Sequence, residues 1–232
     1  MTLKNLIVTG LTLPLLALSC GKTTPKTPPI EAYQQVSPEF SGDSAYTFVD
    51  KQVAFGPQEH VACGDYLVAS LKRFGAEVQE QKMTVTTYNG VKFNARNIIG
   101  SYGTDKKNRV LLFAHWDTRP YSDHDPDPAN HHKPLLGAND GASGVGVLLE
   151  VARVLQTQSP EVGVDIIFFD AEDYGTPAFA KSEPSGDWWC LGSQYWAKNP
   201  HVLNMVFCLI WWVRRMLFLR KNLHLNIMPV KW

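Results

Sequence analysis

Three short points along this chain could do chemistry: His115-x-Asp117, Asn139-Asp140 and Glu172-Asp173. All three adjoin apolar runs within residues 110–175, which read VLLFAHWDTRP, then LGANDGASGVGVLLEVARVL, then VDIIFFDAEDYG. Carboxylates and imidazole are ligands for a borderline cation such as zinc, whose catalytic sites use about three protein ligands and keep one position open. Adjacent residues point different ways, so within Glu172-Asp173 one carboxylate can bind metal while the other moves protons. Asp140 precedes a helical period, and taken alone that position favours capping the helix over binding metal. It is the order of the three points, each beside its apolar run, that signals a metal-dependent enzyme.

These points need a scaffold. Residues 109–114 form an apolar run suited to a strand buried on both faces, and 164–169 read as another. Between them Val145, Leu148, Leu149, Ala152 and Leu155 recur at helical spacing, with apolar residues nearly all round, which predicts a buried helix over 144–155. Strand, helix, strand at this spacing implies a parallel βαβ unit, and α/β sheets present their ligands at the carboxyl ends of such strands. Upstream, Val61, Leu67, Leu71 and Phe74 predict a helix closed by Gly75. Residues 77–87 alternate as a strand before the turn Tyr88-Asn89-Gly90. Residues 97–101 and 109–114, separated by turn residues, are expected to form a hairpin. Residues 46–53 fit either a short strand or a helical turn, and 191–198 look like the start of a helix. The loop 118–137, about twenty residues long, is long enough to be functional.

With 232 residues, one domain is expected. Lys+Arg and Asp+Glu balance at 22 each, so no basic field points to nucleic acid. Residues 1–20 read as a signal: Lys4, an apolar stretch over 6–18, then Ser19-Cys20. Ala17-Leu18-Ser19-Cys20 resembles a relaxed bacterial lipoprotein box, which would lipidate Cys20 and place the protein in the periplasm or on the outer membrane, touching membrane through the lipid alone. Residues 21–39 then form a flexible, Pro-rich tether. Of the other cysteines, Cys63 and Cys190 either pair in that oxidising compartment or are two small buried residues.

AHWD, LGANDGASGV with LLEVARVL, and IIFFDAEDYG together resemble the zinc aminopeptidase superfamily, and more specifically the bacterial glutaminyl-peptide cyclotransferases of the animal type. The resemblance covers roughly residues 40–202 and implies a three-layer α/β/α fold with a mixed, mostly parallel central sheet. It implies Asp140 and Asp173 as zinc ligands and Glu172 as general acid/base, converting an N-terminal glutamine to pyroglutamate with release of ammonia. His115 and Asp117 would lie behind the single zinc, or His115 would bind a second metal bridged through Asp140 in the alternative, a two-zinc aminopeptidase. Trp116, Trp188 and Trp189 are candidates for an apolar substrate pocket, with core packing as their other role. A further alternative is a non-catalytic surface lipoprotein that binds peptides.

The chain changes character after residue 202. No Asp or Glu follows Asp187, and the resemblance leads one to expect a buried strand of the form Leu-Leu-Asp-Met-Val-Gly. Codons for Ile210-Trp211-Trp212-Val213, read one base earlier, nearly force Asp-Met-Val-Gly. Residues 203–232 are therefore expected to be an out-of-frame tail that leaves the domain incomplete. The family's third ligand, a distant histidine, would then be lost, neither His201 nor His224 would replace it, and the chain as written is expected to be inactive.

Overall fold

The computed structural model describes residues 38–181 and 185–199, together with the backbone of 205–207. The expectations for 1–20, for Cys20, for most of the tether and for nearly all of the tail lie outside the described residues.

The described strands form one sheet in the order β1-β2-β4-β3-β5. The strands are β1 (Glu77–Thr86), β2 (Lys92–Tyr102), β3 (Arg109–His115), β4 (Gly163–Phe169) and β5 (Met205–Phe207). β1 and β2 are antiparallel, as are β2 and β4, whereas β4, β3 and β5 run parallel. Among the described strands only β2 opposes the common direction, so the sheet is mixed and mostly parallel. The βαβ unit is present: β3 leads through α3 (Ala142–Thr157) into β4, with His115 opposite Phe169. β5 falls within the segment that the sequence assigns to the tail.

The expected hairpin of 97–101 with 109–114 does not form. β4 lies between these strands, and the hairpin partner of β2 is β1, joined through the Tyr88-Asn89-Gly90 turn, where Gly90 takes φ +81°. The crossover helix carries β4 back into the gap beside β3, and turn residues at 103–108 hold no information about that long-range pairing.

Helices cover both faces, giving three layers. On one face α1 (Gly42–Val53), α2 (His60–Arg73) and α3 bury Phe48, Leu67, Leu71, Val145, Leu148 and Leu149 against Ile98, Ile166 and Phe168. On the other, Trp196 of α4 (Leu191–Lys198) packs on Ile99, Leu111, Phe113, Ile167 and Phe169. Ile98 and Ile99, and Ile166 and Ile167, thus face opposite ways, as the two-residue period of a strand requires. Each such aliphatic side chain contributes about 1.5–3 kcal/mol by leaving water. The ambiguous 46–53 segment is helical because Ser41 caps it, accepting from the Ser44 amide at 3.1 Å, and because Ala45, Phe48 and Gln52 fall on one buried face. A second tie comes from the Ser41 amide, which donates to Glu150 Oε1 of α3 at 2.8 Å.

Cys63 and Cys190 are both free thiols, so of the two alternatives the pairing is not formed. Cys63 is buried in α2, and Cys190 lies against Glu172. Among the described residues no helix is long and apolar enough to cross a membrane.

Candidate metal centre

The carboxyl ends of β3 and β4 and the start of α3 bring the three points of the sequence together. His115 is the last residue of β3, and Glu172-Asp173 follow β4 across a turn in which Ala171 is left-handed at φ +56°. Asp140 stands just before α3 and makes no capping bond: the N-cap is Gly141, and the Asp140 carboxylate turns instead to His115 Nε2, 2.8 Å away. The capping role is therefore not taken up, and the carboxylate is left facing His115. Gly141 allows this approach, because a Cβ there would overlap the His115 carbonyl and ring.

Donor atoms of His115, Asp140 and Asp173 all lie within 4.8 Å of one another. One imidazole and two carboxylates at that spacing suit zinc, and Asp140, with a side chain 55 % exposed, leaves an open side to the cluster. Glu172 Oε2 is 3.5 Å from His115 Nε2, beside the cluster rather than part of it.

Asp117 is the scaffold of the site. Its buried carboxylate accepts the Glu172 amide on Oδ1 and the Asp173 amide on Oδ2, each at 3.0 Å. His115 Nδ1 faces Oδ1 at 3.5 Å, an ion-pair contact without hydrogen-bond geometry. One side chain thus touches three of the four functional residues, His115, Glu172 and Asp173. Asp170, fully buried, does the same for the turn: it accepts the Arg96 and Ala171 amides at 2.8 Å and meets His60 Nε2 at 3.1 Å. Neither part of Asp170 nor the backbone role of Asp117 was read from the sequence, although the first residue of DAED directly after a buried strand was a visible signal.

The electrostatics follow from crowding acids in a dry place. Burial, then the charges of neighbouring carboxylates, pushes both Glu172 and Asp173 up to about 7. Burial alone would lower His115, but Asp117, Asp140 and Glu172 outweigh it and hold the imidazole well above its ordinary value. Burial also raises Asp170, with the Asp117 charge adding to it, and lowers His60.

The long loop is tied to the site by Arg119. Its guanidinium pairs with Asp123 through two bonds of 2.7 and 2.6 Å, donates to the Asp173 carbonyl at 2.9 Å, and lies 4.7 Å from the Trp189 ring. Trp189 packs so closely on Gly175 that a Cβ there would enter the ring. Trp188 is half-buried beside Gly186. Trp116 packs into the core, its ring 4.1 Å from the His60 ring and tilted to it at 39° with Nε1 donating to the Arg96 carbonyl, and with His60 it also lines a small cavity.

The comparisons with known proteins agree with this geometry. Residues 97–210 match the model of Peptidase family M28. A Bacteroides thetaiotaomicron glutaminyl cyclase crystallised with N-acetylhistamine is 56 % identical at a TM-score of 0.72, over 75 % of this chain and 62 % of that one. A zinc-dependent exopeptidase of Parabacteroides distasonis is 58 % identical at 0.72, over 74 % and 61 %. The Escherichia coli protein YfbL is 31 % identical over 53 % of this chain and 34 % of its own length. This chain therefore spans about three fifths of those solved structures and about a third of that curated relative. Residues 97–210 thus match Peptidase family M28, and the three-layer fold is the one this chain shares with the zinc-dependent exopeptidase and bacterial glutaminyl cyclase structures.

Proposed function

We propose that this site is a glutaminyl-peptide cyclotransferase centre acting on peptides or proteins with an N-terminal glutamine. The observation that carries the reading is Glu172, a half-buried carboxylate pushed to about 7 and placed beside, but outside, the His115-Asp140-Asp173 cluster. A group near neutrality both takes and returns a proton under ordinary conditions. Asp140 and Asp173, with His115 in reach, would hold zinc, which would supply Lewis-acid polarisation to the substrate's side-chain amide carbonyl. Glu172 accepts a proton from the substrate's α-amino group as its nitrogen bonds to that carbonyl carbon. The same proton passes to the departing nitrogen as the old C–N bond breaks, releasing ammonia and leaving pyroglutamate. The reaction is intramolecular, so orientation by the pocket supplies much of the rate.

A zinc aminopeptidase is the second reading, favoured by one observation: His115 Nε2 points into the cluster rather than away from it. Incubation with zinc and either Gln-β-naphthylamide or Leu-p-nitroanilide separates the two. Ammonia without loss of the N-terminal residue supports the cyclase; free nitroaniline supports the peptidase; neither product, from protein that binds zinc, points to peptide binding alone. The expected frameshift, and the inactivity that follows from it, is tested by running the assay on this chain and on one whose frame is shifted by one base near Asn204. Export with lipid on Cys20 is part of the proposal too, and fails if labelled palmitate enters the Cys20→Ser protein as readily as the parent.

A further inference from the structure

After the Glu172-Asp173 turn the chain leaves and then returns along it. Three successive amides donate to three successive carbonyls on the way back: Cys190 to Glu172 and Leu191 to Ala171, both at 2.9 Å, and Gly192 to Asp170 at 3.0 Å. A Cβ at Gly192 would strike the Asp170 backbone, so the two segments are as close as their backbones allow. Cys190 sits at φ +56°, the left-handed region that side chains other than glycine's adopt at a cost. That conformation brings its Sγ to 3.7 Å from Glu172 Oε1. The other oxygen, Oε2, faces His115. The two oxygens of this carboxylate therefore have different neighbours, a thiol on one and the metal cluster on the other.

We propose that Cys190 is a positioning residue for Glu172, its S–H donating to Oε1 so that Oε2 stays turned to the cluster and the substrate's proton. A thiol is a weak donor, and in a dry site a weak donor is enough to select one rotamer of a carboxylate. Burial, followed by the nearby Glu172 charge, pushes the thiol up, which keeps it protonated and able to donate rather than react. Serine at this position would keep a donor with shorter reach; alanine would remove it. The contact stands on the geometry alone, whereas its effect on turnover rests on the cyclase reading.

Two measurements on the full chain test it separately. The first follows alkylation of Cys190 and Cys63 by iodoacetamide at mild alkaline pH, peptide by peptide. Glu172→Gln, which removes the charge facing the thiol, is expected to speed labelling at Cys190 about fivefold or more and leave Cys63 unchanged. A Cys190 rate within about twofold of the parent's, or a parallel rise at Cys63, overturns the contact. The second compares turnover of Gln-β-naphthylamide in the chain whose frame is shifted by one base near Asn204, which serves as its parent because the chain as written is expected to be inactive. Cys190→Ala is expected to lower kcat about tenfold with KM within about twofold, and Cys190→Ser to recover most of the loss. Equal losses in the two variants, or a change in KM alone, overturn the positioning role. Absence of turnover in the parent counts against the cyclase reading instead, and the alkylation result then decides the proposal.

Discussion

The two ends of the β3–β4 pair both bury charge, and they treat it in opposite ways. At the amino end Arg109 meets Asp165 through Nε at 2.7 Å and Nη2 at 2.8 Å, while Ser101 donates to the same carboxylate at 2.6 Å. The remaining guanidinium donors reach the carbonyls of Gly103 and Tyr102. Every charge there has its counterpart in the chain. At the carboxyl end Asp117, Asp140, Asp170, Glu172 and Asp173 gather around His115 and His60, and the arginines beside them are committed elsewhere, Arg119 to Asp123 and Arg96 to Asp65 and Glu80. The first end is a closed ion pair that supports the fold. The second is an anionic centre that the protein's own side chains leave under-neutralised, which is the condition for holding a cation.

That contrast can be broken, starting with the largest effect. Glu172→Gln is expected to cost roughly 10²–10⁴ in turnover by the zinc-loaded protein with little change in its denaturation midpoint, since the lost group works on protons rather than packing. Comparable loss of stability would place Glu172 with the structural charges. Arg109→Met should do the reverse, destabilising by about 3–5 kcal/mol in urea because Asp165 is left buried and unpaired. A loss below about 1 kcal/mol would show that the amino end is not a closed pair.

Zinc sharpens the comparison at smaller scale. At a hundredfold excess over its dissociation constant it should stabilise the protein by about 2.7 kcal/mol, and Asp140→Asn or Asp173→Asn should abolish that gain while Arg109→Met keeps it. A thermal shift with zinc that survives both aspartate changes would move the metal elsewhere. The smallest effect is on pH. Glu172 and Asp173 are raised in the folded chain, so between the ordinary carboxylate range and about pH 7 the native state holds more protons than the unfolded one. The metal-free protein should therefore lose stability as pH rises through that window, and Asp173→Asn should flatten the slope. Asp123, held at about 2 first by Arg119 against the effect of burial, acts the other way and loses its contribution only on strong acidification.

The carboxyl end was the more legible of the two in sequence. Fully buried strands read as continuous apolar runs, so the residues that end them stand out, as His115, Glu172 and Asp173 do, whereas Asp140 was picked out by its place before a helical period and by the family resemblance. Asp165 was hidden for the same reason, a single acid inside a run that otherwise predicts a buried strand. The α1 helix was left open between strand and helical turn, and its first turn was not read, because residues 42–53 carry few large apolar groups; Ser41 and Asp43 were its signals. The false hairpin came from trusting local turns over the crossover, and Trp116 could not be sorted between core and pocket because a buried indole has the same sequence signature in either place. Asp117 and Asp170 act through backbone amides, and periodicity carries no trace of such partners.

The position of β4 between β2 and β3 has a consequence for how the chain assembles. When residue 115 has been synthesised, β1 and β2 can already pair as a hairpin, but β3 has no neighbour on either side among the strands made so far. Both β2 and β3 must wait, with open edges, for roughly fifty more residues to deliver the strand that joins them. The site is assembled by that same event, because Asp117 meets the amides of Glu172 and Asp173 only once β4 has docked. Closure of the sheet and construction of the metal cluster are thus one step, and a nascent chain stalled before it would present unpaired edges to other chains without yet owning a site to protect.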